Sequence, residues 1–132
     1  MRITGFKLGL LQVPLRVPFK TALRTVEAIE DVIIKLETDT GHIGYGEAPP
    51  TVAITGDSLD SILAALRDHI GPALLGLDIA ELDGNCRLVQ NALLKNTSAK
   101  AAAEIALYDL YAQHREMPLY QALGSGTPRL LT

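Results

Sequence analysis

The chain is poor in cysteine and in aromatic side chains. It has one cysteine and no tryptophan, and aromatic residues make up 5% of its 132 residues. A single cysteine excludes an intramolecular disulfide framework and a zinc site built from cysteines. Cys86 lies on the apolar face of a predicted helix, so we expect a buried, unreactive thiol. Since 48% of the residues are hydrophobic, the length and composition predict one domain with a mainly aliphatic core.

The sequence also lacks an excess of positive charge and long apolar runs. The net charge of −3 argues against a protein that binds nucleic acid. No segment approaches the roughly 18 apolar residues of a membrane-spanning helix, and no basic amphipathic stretch predicts binding to a membrane surface. The N-terminus has no clean signal-peptide pattern. We therefore expect a cytoplasmic protein that binds neither nucleic acid nor membranes.

Alternation of apolar and polar residues predicts three β-strands, at residues 2–13, 31–38 and 42–48. Pro14 is expected to weaken or end the first strand. Gly41 suits the left-handed position of a three-residue hairpin turn. Gly44 and Gly46 indicate a close approach of another backbone, or a bulge. This order predicts a small antiparallel meander.

Helical spacing of apolar residues follows the strands and predicts four helices, at residues 58–70, 78–95, 97–115 and 119–123. Asp57 or Ser58 can cap the first helix, and Gly71 followed by Pro72 is expected to end it. Asp78 is expected to begin the second helix in a variant of the capping box. The predicted fold is α+β: a three-stranded antiparallel meander sheet, then a bundle of three helices and a short C-terminal helix. Residues 1–124 form this domain and residues 125–132 a linker.

Residues 18–26 form an unusually long connection between the first two strands. A plain hairpin needs about two to five residues. Long ordered loops in small domains are usually functional, although a solvated excursion is the alternative. Arg24 lies in this loop, and its guanidinium can hold a carboxylate with two hydrogen bonds. A second loop at residues 51–56 can supply apolar walls. Together they predict a binding half-site without a catalyst.

No other pattern predicts chemistry. Glycine-rich nucleotide motifs and nucleophile elbows are missing, and no two histidines have ligand spacing. Asp57 and Asp60 lie at the start of the first predicted helix and are explained by its dipole. Glu47 is expected to accept hydrogen bonds from loop backbone N–H groups, and Asp109, on a buried helix face, to bond the backbone of an adjacent loop. The residues predict no catalytic group and no metal site in this chain.

Three strings of residues carry a family resemblance. They are Pro-Phe-Lys-Thr-Ala-Leu-Arg-Thr-Val at 18–26, Gly-Glu-Ala-Pro-Pro-Thr at 46–51 with Ile-Thr-Gly-Asp-Ser at 54–58, and Ser-Ala-Lys-Ala-Ala at 98–102 continuing to Ala-Leu-Tyr-Asp at 106–109. Together they resemble the N-terminal capping domain of the enolase superfamily, in the muconate-lactonising subgroup. The resemblance is closest to the L-Ala-D/L-Glu (dipeptide) epimerases and covers essentially the whole chain.

The resemblance implies that a (β/α) barrel follows this domain. The barrel would supply carboxylates that bind Mg²⁺ and two lysines that exchange the α-proton of an acidic dipeptide through an enolate. Arg24 would hold the side-chain carboxylate of the substrate's glutamate. The other implied substrate-binding residues are Phe19 and Lys20 in the first loop and Ile54 and Thr55 in the second.

The chain ends at Thr132, whereas a barrel needs on the order of 250 residues. We therefore expect an inert specificity cap whose partners are its own barrel and an acidic dipeptide. Magnesium is expected only in the parent enzyme, bound by the barrel. The alternatives are the cap of a muconate cycloisomerase-like enzyme, a stand-alone module for small anions, and an oligomerisation piece that forms homo-oligomers through its exposed apolar surface.

Overall fold

The fold is an antiparallel sheet covered on one face by helices. The computed structural model describes residues 1–22 and 24–124, so the predicted linker lies outside the described residues. The sheet has the order β1-β2-β3, with β1 at Ile3–Lys20, β2 at Thr25–Thr38 and β3 at Ile43–Ala48. The helices are α1 (Val52–Thr55), α2 (Leu59–Ala64), a π-helical segment (Ala65–Ile70), α3 (Gly71–Leu74), α4 (Leu82–Asn91), α5 (Thr97–His114) and α6 (Leu119–Leu123). The predicted α+β class and the meander are confirmed.

The core lies between the sheet and α5. Val32, Ile34 and Leu36 point from β2 into the core and have no exposed surface. On β3, a Cβ atom at Gly46 would overlap the carbonyl oxygen of Ala102, and one at Gly44 would meet that of Ala106. The predicted close approach of backbones is confirmed, because glycine on the strand faces alanine on the helix.

The predicted loop at residues 18–26 is wrong. Strand β1 continues through Pro14 to Lys20, and β2 begins at Thr25, so the segment is the end of a long hairpin. The register shifts between Pro14 and Phe19, and pairing then resumes. Because β1 is an edge strand, its prolines do not remove a hydrogen bond that a central strand would need.

The first helical region also differs from its prediction. Ser58 and Ser61 form a capping box at the start of α2, with Ser61 N–H donating to Ser58 Oγ over 3.2 Å. Gly71 does not end the helical path, because its N–H donates to the carbonyl oxygen of Leu66, five residues back. This wider π-type turn accommodates Pro72 at the start of α3. The path ends at Leu74, before Gly76 with a positive φ.

The second predicted helix starts too early. Helix α4 begins at Leu82, because residues 77–79 extend along the N-terminus instead: Ile79 N–H donates to Met1 O over 2.9 Å and Ile3 N–H to Leu77 O over 3.1 Å. Asp78 accepts the N–H of Ala80 over 3.1 Å, which lowers the pKa of its carboxyl. The predicted capping box does not form, whereas the predicted spans of the helices at 97–115 and 119–123 agree with α5 and α6 to within a residue.

Candidate functional site

A cleft follows the edge of β2 where β3 no longer covers it. The last residue pair between these strands is Val32 with Ala48, after which Pro49 and Pro50 carry the chain away. Residues 25–31 of β2 therefore pair with β1 alone. The cleft beside them has a volume of about 360 Å³. Its lining residues are Arg24, Val26, Ala28, Ile29, Glu30, Asp31, Glu47, Pro49, Pro50 and Thr51.

Arg24 is held at the mouth of this cleft by the hairpin turn. Thr21 N–H donates to the carbonyl oxygen of Arg24 over 2.8 Å, and Arg24 N–H donates to Thr21 Oγ1 over 3.2 Å. These bonds fix the backbone of Arg24. Its half-buried side chain makes no hydrogen bond or ion pair with any described residue. The guanidinium is thus available for a carboxylate or phosphate ligand.

Three carboxylates share the cleft with Arg24. Glu30 accepts a hydrogen bond from Gln12 Nε2 over 3.0 Å, whereas Asp31 and Glu47 have no such partner among residues 1–22 and 24–124. The expected bonds from loop N–H groups to Glu47 are therefore wrong, and its side chain is exposed. Sequence reasoning missed Asp31 and Glu30. The available signal was a pair of acids directly before the apolar run of β2.

The other predicted substrate-binding residues lie outside the cleft lining. Phe19 pairs with Val26 and is 59% exposed, and Lys20 pairs with Thr25 at the hairpin end. Ile54 is 68% exposed on α1, so the predicted second loop contains a turn of helix. Thr55 donates its hydroxyl to Thr51 O over 3.3 Å. Of the two predicted loops, the structure brings Arg24 and Val26 from the first and Thr51 from the second to one cleft.

Three further residues singled out in the sequence contribute to the fold and do not line the cleft. Asp57 accepts the backbone N–H of Ser98 over 3.0 Å, so it serves the start of α5 rather than α2. Asp109 accepts the N–H of Tyr45 over 3.0 Å, which makes its partner a strand and not the expected loop. Cys86 is half-buried and not buried as expected, but desolvation raises the pKa of its thiol to about 11, in agreement with the expected unreactive thiol.

The part of the chain that the structure describes contains neither a group of metal ligands nor a membrane-spanning helix. Its histidines, cysteine and acids form no group of three or more that could hold a metal ion. None of its helices is both long and apolar enough to cross a membrane.

The comparisons with known proteins agree with one another. Residues 7–124 match the family described as Mandelate racemase / muconate lactonizing enzyme, N-terminal domain. An L-Ala-D/L-Glu epimerase of Bacillus subtilis is 50% identical over 124 residues, which are 94% of this chain and 34% of the relative. A second, from Clostridium acetobutylicum, is 44% identical over the whole chain and 37% of its own length.

Solved structures give the same result. A substrate-liganded complex of the Bacillus subtilis epimerase superposes with a TM-score of 0.91 over 94% of this chain and 34% of that chain. A dipeptide epimerase from Cytophaga hutchinsonii, complexed with Mg and D-Ala-L-Val, gives a TM-score of 0.90 at 36% identity over 98% of this chain and 35% of that chain. The chain therefore spans about a third of the length of the curated relatives that it matches.

Proposed function

Since the chain belongs to the mandelate racemase / muconate lactonizing enzyme N-terminal domain family, we propose that it is the substrate-selecting cap of a longer L-Ala-D/L-Glu epimerase. The observation that carries this proposal is the 50% identity to such an epimerase over nearly the whole chain. Arg24 supports it, because its side chain lies beside an open cleft and has no partner among the described residues. The reaction itself, 1,1-proton transfer at the glutamate α-carbon, would belong to the longer polypeptide.

In this proposal Arg24 binds the side-chain carboxylate of the substrate's glutamate. The turn with Thr21 fixes the backbone of Arg24, so binding of the guanidinium needs ordering of its side chain but not of its backbone. Phe19 and Ile54 present large exposed apolar surfaces that a substrate and a second domain can cover. Lys20 and Thr55 add a cation and a hydroxyl to the same two segments. Together these residues would close over the substrate and exclude water.

Magnesium would lie outside this chain. The Cytophaga hutchinsonii structure is described as a complex with Mg and a dipeptide. The described residues of this chain do not fit such a site, because their acids and histidines form no ligand group. The ion and the residues that transfer protons are therefore assigned to a barrel domain. The cap contributes binding and positioning of the carboxylate, and the chain alone is proposed to be inert.

The barrel is also the proposed protein partner. Large apolar side chains are exposed at two separate places, on the β1–β2 hairpin and beside α6. Exposed apolar patches of this kind mark surfaces that are covered in an assembly. We propose that the barrel of the same enzyme covers these apolar surfaces. When the barrel is absent, other copies of the chain would cover them.

The test of this function uses the chain joined to the remainder of the Bacillus subtilis relative, in place of the corresponding 34% of that enzyme. Arg24→Met is expected to lower kcat/KM for L-Ala-L-Glu about 10- to 150-fold, which corresponds to about 1.5–3 kcal/mol, the usual cost of a lost charge-assisted hydrogen bond. L-Ala-L-Leu, which has no side-chain carboxylate, should lose almost nothing. Epimerisation is followed by exchange of the α-proton in D₂O.

The matched control is Arg16→Met, which removes a cation from the same hairpin but from outside the cleft lining. It should leave both substrates unchanged. An equal loss for the two substrates in Arg24→Met would contradict the assigned role, because it would show a general effect of the substitution. A fusion that folds but epimerises neither dipeptide would count against the proposed function itself.

A further inference from the structure

The uncovered edge of β2 is a second feature of the cleft, separate from Arg24. Alternate backbone N–H and C=O groups of residues 25–31 point away from β1 and have no backbone partner among the described residues. The outer edge of β3 differs, because side chains of α5 bond two of its backbone groups. Asp109 accepts the N–H of Tyr45 over 3.0 Å, and Gln113 Nε2 donates to Ile43 O over 2.8 Å. An open strand edge is a template for another extended chain.

The groups at the two ends of this edge have opposite charge. Arg24 lies at one end, and Asp31 and Glu47 lie at the other. Glu47 is paired with Ile33, so it shares a sheet face with Asp31, two residues earlier on β2. An ordinary peptide with free termini has the complementary arrangement, with an ammonium group at one end and a carboxylate at the other.

At the acidic end of the cleft, the carboxylate of Asp31 lacks a partner. Its side chain is only 8% exposed, and its carboxylate has no partner among the described residues. Burying a carboxylate without a partner is costly. Among the described residues, every polar side-chain atom that is fully inaccessible has a hydrogen bond. Because the Asp31 carboxylate has none, its oxygens must keep some exposure to solvent. Asp31 also borders a hollow of about 60 Å³, which is too small for anything beyond one or two water molecules.

We propose that the edge of β2 binds an extended peptide of about five residues by strand addition. Seven residues of β-strand span about 23 Å, which accommodates a five-residue strand of about 17 Å between the two charged ends. Its ammonium group would lie between Asp31 and Glu47 and its C-terminal carboxylate at Arg24, so the peptide runs antiparallel to β2. The volume of about 360 Å³ lies within the range of ligand clefts. This goes beyond the proposed function, because the ligand is longer than a dipeptide and needs no barrel.

The test is a titration of the ¹⁵N-labelled chain with the pentapeptide Ala-Val-Thr-Val-Glu, observed by two-dimensional NMR. Binding should shift the amide signals of residues 25–31 and slow hydrogen exchange at alternate positions among them. The matched control is the same peptide N-methylated at alternate residues, which cannot complete the ladder and should bind at least about tenfold more weakly. Equal binding of the two peptides, or protection confined to the outer edge of β1, would overturn strand addition.

The acidic end is tested with Asp31→Asn and with an N-acetylated pentapeptide. The substitution should weaken binding of the free-amino peptide about fivefold and leave the acetylated peptide unchanged. Glu47→Gln, at an exposed position, provides a second variant should Asp31→Asn fail to fold. Asp60→Asn, on the exposed side of α2, is the control and should alter neither peptide. Equal weakening of both peptides would overturn the assignment of an ammonium site.

The two proposals fail separately. Strand addition is measured as binding to the chain alone, and the epimerase function as turnover by a fusion with a barrel. Loss of pentapeptide binding would leave the selectivity of Arg24 for a glutamate side chain intact. Absence of dipeptide turnover would leave the pentapeptide titration unaffected.

Discussion

Asp57 shows how one side chain can connect two distant helices. It precedes α2 in the sequence, yet its carboxylate accepts the N–H of Ser98 over 3.0 Å and the hydroxyl of Thr97 over 3.4 Å. Helix α5 begins there without a side-chain cap of its own, because Asn96 adopts a left-handed conformation. Asp57 is 7% exposed and supplies the missing acceptor. A negative charge at this position also complements the dipole of α5.

Removing this carboxylate should destabilise the fold. Asp57→Ala leaves the N–H of Ser98 without its acceptor, so the free energy of unfolding should fall by about 1.5–3 kcal/mol. Urea denaturation followed by circular dichroism measures the change. The control Asp60→Ala removes an exposed acid from the first turn of α2 and should cost at most about 1 kcal/mol. Equal, small losses in the two variants would show that Asp57 does not cap α5.

Individual partners of this kind could not be predicted from the sequence. The prediction that Asp57 or Ser58 caps the first helix is confirmed for Ser58, whereas the sequence did not indicate that Asp57 serves α5. The local pattern contains no information on Ser98, which is 41 positions away. The same limit applies to Asp31, because the residues around it include Leu11 on β1 and Leu59 on α2, which are distant in sequence.

At the scale of elements, the contact between β3 and α5 sets how closely the sheet and helix approach. Gly44 and Gly46 lie on either side of Tyr45 on β3, and both face the backbone of α5. Alanine at positions 102 and 106 keeps the helix surface shallow there. The close packing brings Asp109 within reach of the strand backbone, so the edge of β3 is covered while the edge of β2 beyond it remains open.

Gly46→Ala is therefore expected to be strongly destabilising. The new Cβ would overlap the backbone of Ala102, which cannot move without displacing α5. We expect a loss of about 3 kcal/mol in the free energy of unfolding, at the upper end for overpacking. Gly84→Ala is the matched control, since a Cβ there meets nothing within 4 Å on α4. It should stabilise the chain by about 0.5–1 kcal/mol. Calorimetry should show a lower melting temperature for Gly46→Ala and a higher one for Gly84→Ala. An unchanged melting temperature for Gly46→Ala would refute this packing.

The existence and order of the elements were predictable, but several of their ends were not. Alternation in β2 and the alanine pattern of α5 are local signals that long-range contacts reinforce. The ends depend on context. Pro14 is compatible with a strand because β1 is an edge, and Pro72 with a helical path because the preceding turns are π-helical. Asp78 does not begin a helix, because its backbone pairs with Arg2 at the N-terminus.

At the scale of the whole molecule, the sequence predicted Arg24 as a binding residue but did not predict the cleft beside it. Arg24 was predicted from its charge and its place in a long connection, and the structure puts it at a cleft. The cleft itself arises because β2 is eight residues longer than β3, by their lengths of 14 and 6. That difference is a property of the assembled sheet, since the alternating pattern of residues 25–30 is too weak to mark them as strand. The acidic end of the cleft was missed for this reason.

The apolar surface of the hairpin should make the isolated chain associate with itself. Val17 is 77% exposed and Phe19 is 59% exposed, and exposed apolar patches favour association. Sedimentation velocity should show a coefficient that rises with concentration, above that of a 14.2 kDa monomer. The double variant Val17→Thr and Phe19→Thr keeps residues that favour β-strands and should shift the chain towards the monomer. Leu94→Thr, at an isolated position that is 90% exposed, should change nothing, because a single apolar side chain forms no patch. A monomer at every concentration would show that the hairpin surface does not drive association.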